Sequence, residues 1–392
     1  MALQPAAGAR DRHPREVERN RRLVELLAGV FRLWGYQEVD PPTIERIDTL
    51  EAGGAIATSE MVRLASDDPL ALRPELTASI ARAASTRLAG RPRPLRLWAS
   101  GNTFRSVIAD GGDQRISEQV QCGVELLGEP SAAADTELLH LLLAAAATLG
   151  LQPHHQPRLL VGHHGILSAL LASIPVEQAG AVRQALTSFD PLALDQLALL
   201  GGQRSQLQQL MRLRGEPTAV LYQLEQWLGP IEPLNELAQT LASVAPMAAS
   251  LGVALQLDPT FQPHFALYDG LVIKLVCQAA DAPRDIASGG RYDKLVGRFC
   301  SDAGQAAGVG FAFAIDAIRD LLGSAASGGD AEPRWLVSCR TSAGLPKALQ
   351  RLQQLHVAEE AAELGPKSCA SQAEADTIAR ERGCRGAIWL PD

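Results

Sequence analysis

Residues 308–318 read GVGFAFAIDAI. Two glycines, Gly308 and Gly310, open an apolar run that passes into Asp316 and Ala317. This pattern predicts a buried strand turning into a helix, with glycine where something must approach the backbone closely. A second glycine-bearing stretch, SGGRYD at 288–293, stands shortly before it. Glycines beside an apolar strand often seat a phosphate-bearing ligand, but phosphate usually wants a cation as well. The 308–318 stretch has none before Arg319. It is either a nucleotide seat or one that has lost its nucleotide.

Working outward, residues 14–34 carry apolar side chains at 23, 26, 27, 30, 31 and 34, one face of a helix that Gly35 ends. The segment 36–46, with Pro41 and Pro42, reads as extended chain at an edge or interface. Residues 60–64 and 70–72 predict short strands, and 73–85 a helix with Pro74 in its first turn and Ile80 and Ala84 buried. Residues 95–105 and 118–128 predict an antiparallel pair. The helix at 133–150 is expected to be capped at Asp135 and Gly150. About 158–250, a strand, turn and helix lead into Leu/Gln-rich helical segments, broken at Pro191, Gly201, Gly202, Gly215 and Pro217. This is a helical insertion, after which strand-like sequence resumes at 254–261 and 266–278. Residues 323–333, GSAASGGDAEP, have linker composition, and 334–392 read as a small α/β unit. The core is thus expected over 1–322.

The chain of 392 residues is long enough for two or three domains. Its net charge of −8 and brief basic clusters at 19–22 and 87–96 leave no dense basic footprint, so no nucleic-acid partner is expected. Six cysteines without a C-x-x-C pair argue against zinc and against a disulfide framework, and for a reducing compartment. The N-terminal residues lack the apolar core of a signal peptide, and the most apolar run, 138–151, is too short to span a bilayer. A cytoplasmic protein with no membrane contact is expected.

On a strand, Gln121, Gly123 and Glu125 point the same way. A carboxylate can hold an ammonium and the glycine admits a ligand, so this face suits a floor for a small polar molecule. The alternative is an ordinary solvent-facing polar side. Arg105 can clamp a carboxylate or phosphate, or serve a structural ion pair. Glu75 and Thr77 stand where a helix start needs capping. His154 with His155, and His163 with His164, are adjacent, point to opposite faces and form no chelate, so no metal is expected. No Ser-His-Asp or phosphate-loop pattern assigns a catalytic residue, and no cofactor is called for.

Six pieces in order resemble the catalytic core of histidyl-tRNA synthetase: GYQEVDPPTIE (35–45), LRPELTASIARA (72–83), NTFR (102–105) with QVQCGVE (119–125), YDGLVIK (268–274), SGGRYDKLV (288–296) and GVGFAFAID (308–316). The resemblance covers about residues 14–322. It implies an α+β, class II aminoacyl-tRNA synthetase-like fold, an antiparallel sheet flanked by helices, with a homodimer formed through 35–42. It also implies a histidine pocket of Glu75, Thr77, Arg105, Gln121, Glu125, Tyr268 and Tyr292. The chemistry agrees: carboxylates suit an amine, Arg and Gln a carboxylate, and Tyr hydroxyls an imidazole.

The departures fall on the ATP and activation side. Val107 stands where the synthetases read adenine with Glu. Ala317 replaces the phosphate-binding Arg, and Pro263 the catalytic Arg. A tyrosine pair is reduced to Leu267 and Tyr268. None of these can supply a guanidinium. The tail is also short for an anticodon-binding domain. This combination resembles the ATP phosphoribosyltransferase regulatory subunit family. It implies a non-catalytic subunit that joins the short-form catalytic subunit in a hetero-octamer, needed for activity and for feedback inhibition by histidine. An active histidyl-tRNA synthetase and a stand-alone amino-acid-sensing paralogue are the alternatives.

Overall fold

Pro14 opens the first helix, α1 (Pro14–Leu33), where its missing N–H leaves no bond unmade. Leu23, Leu27, Ala28 and Phe31 are its buried stripe, and Gly35, at φ +81°, turns the chain away. Leu26, expected on the buried side, lies on the shoulder of that stripe and is exposed. The structure, a computed structural model, describes residues 5, 8–54, 56–108, 112–262, 267–300, 302–323, 334–366 and 368–391. The chain divides into two units, Met1–Gly323 and Ser324–Asp392.

After α1 come β1 (Gln37–Glu38), β2 (Ile44–Arg46), α2 (Ile47–Gly53), β3 (Val62–Arg63), β4 (Leu70–Leu72) and α3 (Thr77–Ser85). A long hairpin, β5 (Leu95–Ile108) and β6 (Gln114–Leu127), leads to α4 (Ala132–Ala147) and β7 (Arg158–His163). Six helices follow: α5 (His164–Leu170), α6 (Val176–Thr187), α7 (Pro191–Asp195), α8 (Gly201–Arg212), α9 (Pro217–Leu228) and α10 (Glu232–Ser250). The first unit closes with β8 (Ala254–Leu257), β9 (Leu271–Gln278), β10 (Pro283–Arg291), α11 (Asp293–Phe299), β11 (Gly308–Ala314) and α12 (Ile315–Leu322).

The main sheet has the order β1-β5-β6-β11-β10-β9-β7-β8. Its six central strands are antiparallel throughout, and β1 and β8 add parallel edges. The first residues of the expected insertion form β7 of this sheet, and helices fill 164–250. The strand period of two sorts side chains cleanly. Cys122, Val124 and Leu126 join Phe31, Leu138 and Leu241 in the core under α1, α4 and α10. Leu95, Leu97, Ala99 and Leu127 face the other way, with Leu76, Ile80 and Tyr292, toward α3 and α11.

Three local expectations change. The hairpin arms are longer than predicted, because the register continues from Leu95–Leu127 to Ile108–Gln114 through polar residues held by cross-strand bonds. The helix predicted from residue 73 begins at Thr77; Pro74 lies before it, where its carbonyl accepts from Arg105 Nε at 3.4 Å. Ser131, not Asp135, is the N-cap of α4. Asp135 is instead buried in the first turn and paired with Arg291 Nη2 at 2.9 Å.

In the second unit, β12 (Trp335–Cys339), α13 (Leu345–Val357), β13 (Ala362–Leu364), α14 (Gln372–Glu381) and β14 (Gly386–Leu390) form a parallel sheet of order β13-β12-β14 with two helices. Leu336, Val337, Ala348 and Ala375 are buried in it. Apart from Gly323, the expected linker at 323–333 lies outside the described residues. Among the described residues no helix is long and apolar enough to cross a membrane, and all six cysteines are free thiols.

Candidate functional site

On β6, Glu125 points away from the main core toward the start of α3. It stands directly across from Gly310 of β11. A Cβ on Gly310 would lie 1.7 Å from Glu125 Oε2 and 2.5 Å from the Val124 carbonyl oxygen. A Cβ on Gly308 would lie 2.5 Å from the Tyr292 ring, and one on Gly290 2.8 Å from the Tyr268 ring. These glycines therefore make room for three side chains of the chain itself: a carboxyl and two phenols. In the fold these glycines have a packing role.

Glu125 is only 4 % exposed. Thr77 Oγ1 donates to its Oε1 at 2.6 Å, and the Tyr292 hydroxyl donates to its Oε2. Burial pushes its pKa up to about 8, and the nearby Glu75 charge adds to that rise; the two hydrogen bonds work against it. Glu75 accepts from the Ala78 N–H at 3.1 and 3.2 Å, the capping role the sequence suggests, and burial raises its pKa as well. Burial, followed by the charge of Glu125, raises Tyr268 and Tyr292. Glu75, Thr77, Glu125, Tyr268 and Tyr292 thus converge. Arg105 reaches the Pro74 carbonyl at the start of α3, and its charge acts on Glu75 and Tyr268. Gln121 shares the face of Glu125 but lies four residues along β6, about 13 Å away. Two carboxyls at the bottom of such a site invite an ammonium, whose charge would allow Glu125 to ionise.

One structural residue escaped the sequence reading. Arg73 is 4 % exposed and donates to the carbonyls of Asn102 (2.9 Å) and Pro41 (2.5 Å), tying the 41–42 segment to β5. Its available signal was Gly101, where a Cβ would meet the guanidinium at 2.1 Å.

A family model described as histidyl-tRNA synthetase matches residues 8–318. The ATP phosphoribosyltransferase regulatory subunit of Synechococcus sp. (strain RCC307) is 51% identical over 395 residues, covering 100% of both chains. The chain belongs to the ATP phosphoribosyltransferase regulatory subunit family. Another member, from Prochlorococcus marinus (strain MIT 9313), is 49% identical over 390 residues, again with 100% of each chain covered. Among solved structures, an ATP phosphoribosyltransferase regulatory subunit/histidyl-tRNA synthetase from Bacillus halodurans C has a TM-score of 0.83 at 25% identity, over 100% of this chain and 99% of that one. Histidyl-tRNA synthetase from Nostoc sp. PCC 7120 has a TM-score of 0.78 at 17% identity, over 100% and 92%, a likeness of fold alone. The expected class II synthetase-like fold is the one observed.

In this member of the regulatory subunit family, Val107 is 42 % exposed on β5, across from Arg115. Pro263 lies outside the described residues. Asp316, which precedes Ala317, is tied into the framework. It accepts from the Val120 N–H at 2.8 Å and from Asn20 Nδ2 at 3.1 Å, and it pairs with Arg319 Nη1 at 2.7 Å. Arg319, the first cation after the glycines, is 5 % exposed and also bonded to Asn20 and Asp320. Asp316→Ala is expected to destabilise the fold by about 2 kcal/mol, since it leaves the buried Arg319 guanidinium with the exposed Asp320 as its nearest carboxylate and removes the bonds that tie α12 to Asn20 of α1 and Val120 of β6. Urea denaturation checks this.

Proposed function

We propose that this chain is the non-catalytic regulatory subunit of an ATP phosphoribosyltransferase and that its Glu125 pocket takes histidine as effector. The observation that carries the reading is the pairing of an amino-acid floor, Glu125 held by Thr77 and Tyr292 beside Glu75, with uncharged Val107 and Ala317 on the ATP side. Adenylate formation needs cations against the phosphates, and Ala317 supplies none, while Val107 offers no carboxylate to adenine. In this reading the chain is cytoplasmic, dimerises through residues 35–42 and joins the short-form catalytic subunit in a hetero-octamer. Histidine then acts by binding the complex states of high and low activity unequally.

Co-expression with a short-form catalytic chain tests the proposal. The two are expected to co-purify, and phosphoribosyltransferase activity is expected only from the pair, with inhibition by added histidine. Absence of a complex, or a rate unchanged by this chain, overturns it. Histidine-dependent pyrophosphate exchange by the purified chain would establish an active synthetase instead. Calorimetric binding of another amino acid in place of histidine would point to a stand-alone sensor.

A further inference from the structure

Within the helical insertion, the half-buried guanidinium of Arg183 on α6 is bonded to neutral side chains. Its Nη1 donates to Gln262 Oε1 at 3.2 Å and its Nη2 to Ser168 Oγ of α5 at 3.1 Å. No ion pair joins it to an acid among the described residues. Gln262 spends its carbonyl on Arg183, while its Nε2 is buried without a hydrogen-bond partner. The turn carrying Gln262 is fixed by Asp258 Oδ1, which accepts from the Thr260 N–H (2.9 Å) and hydroxyl (2.7 Å). It crosses the end of β7 so closely that a Cβ on Gly162 would stand 2.4 Å from the Phe261 carbonyl oxygen.

Two residues on is His164, whose Nε2 is also buried and unbonded. Burial, with the charge of Arg183 next, pushes its pKa down to about 4, so its ring is neutral near pH 7 and one nitrogen carries a donor hydrogen. Asp269 and Lys294 also act on this ring. Asp269 already accepts from the Asp293 (3.1 Å) and Lys294 (2.8 Å) N–H groups.

A guanidinium bonded only to neutral side chains, a buried amide donor without a partner, and beside them a buried imidazole nitrogen that donates in one of its two tautomers, with no carboxylate bonded to any of the three among the described residues, are the complement of an oxyanion. We propose that Arg183, Gln262 and His164 form a second ligand site, which binds a phosphate or carboxylate group between the insertion and the end of β7. Its polarity is the reverse of the Glu125 pocket, where acceptors are in excess. It is independent of the regulatory reading above.

The full-length chain is titrated with inorganic phosphate and, separately, acetate, with sodium chloride as the ionic-strength control, and the melting temperature is followed. A saturable rise with phosphate assigns a phosphate group; one with acetate assigns a carboxylate. Arg183→Met is expected to weaken that binding by about tenfold or more. Gln262→Glu works in the opposite sense. Its new carboxylate pairs with Arg183, raises the melting temperature without any added anion, and abolishes the response. The proposal is overturned if neither anion saturates by about 50 mM, if chloride gives the same response, or if Gln262→Glu responds as the wild type does.

Discussion

Glu125→Gln is expected to bind histidine about 100-fold more weakly than the wild type, yet to be the more stable protein above pH 8. Burial lifts the carboxyl to about 8 in the folded chain, from its ordinary value of 4.5. A folded-state pKa that is raised means the fold holds the proton more tightly than the unfolded chain does. The contribution to stability is therefore complete below pH 4.5 and is lost as the pH rises through 8. Across that window the slope is about 1.4 kcal/mol per pH unit, so the loss reaches about 5 kcal/mol. Glutamine does not titrate and keeps hydrogen-bonding capacity toward Thr77 and Tyr292, so the slope disappears. Urea denaturation at pH 5, 7 and 9 measures both proteins. The same carboxyl links histidine to protons. An ammonium beside Glu125 favours the ionised form, so binding below pH 8 should expel about one proton per site. Calorimetry in buffers of different ionisation enthalpy reads this directly. A heat independent of buffer at pH 7 would remove the contact between the carboxylate and the ammonium from the proposed pocket.

Patterns carried by a single element were legible in the sequence. The buried stripe of α1, the alternation that puts Gln121, Gly123 and Glu125 on one face, and the strand-to-helix passage at 308–318 are all local periodicities. What escaped was pairing between distant elements. Nothing near Asp135 announces Arg291, and nothing near Gln262 announces Arg183. The glycine pattern said that something comes close, but not what. The candidate pocket was visible through its resemblance to a known family, whereas composition and spacing alone left its polar strand face open to two readings. Arg319 shows the limit most clearly. In sequence it is the first cation after the glycines, but in the fold it is buried against Asn20, Asp316 and Asp320, a framework role.

Gly310→Ala is expected to cost about 4 kcal/mol or more, from one added methyl group. The new Cβ would stand 1.7 Å from Glu125 Oε2 and 2.5 Å from the Val124 carbonyl oxygen. The first clash can be relieved by swinging the carboxyl away. That breaks its bonds with Thr77 and Tyr292 and leaves the Tyr292 hydroxyl, on a residue 1 % exposed, without its acceptor. A buried group stranded in this way costs about 1–3 kcal/mol. The second clash is with the backbone of the paired strand, so β6 and β11 must part locally, and overpacking of that kind adds about 1–3 kcal/mol. Urea denaturation of the single variants and of Gly310→Ala with Glu125→Ala separates the two. The truncated carboxyl no longer meets the Cβ, while the Val124 contact stays. The double variant should therefore be more stable than the sum of the singles predicts, by about 1 kcal/mol or more. Strict additivity would mean that the glycine does not exist for Glu125. The close approach encoded at Gly310 would then be owed to the β6 backbone at Val124 alone.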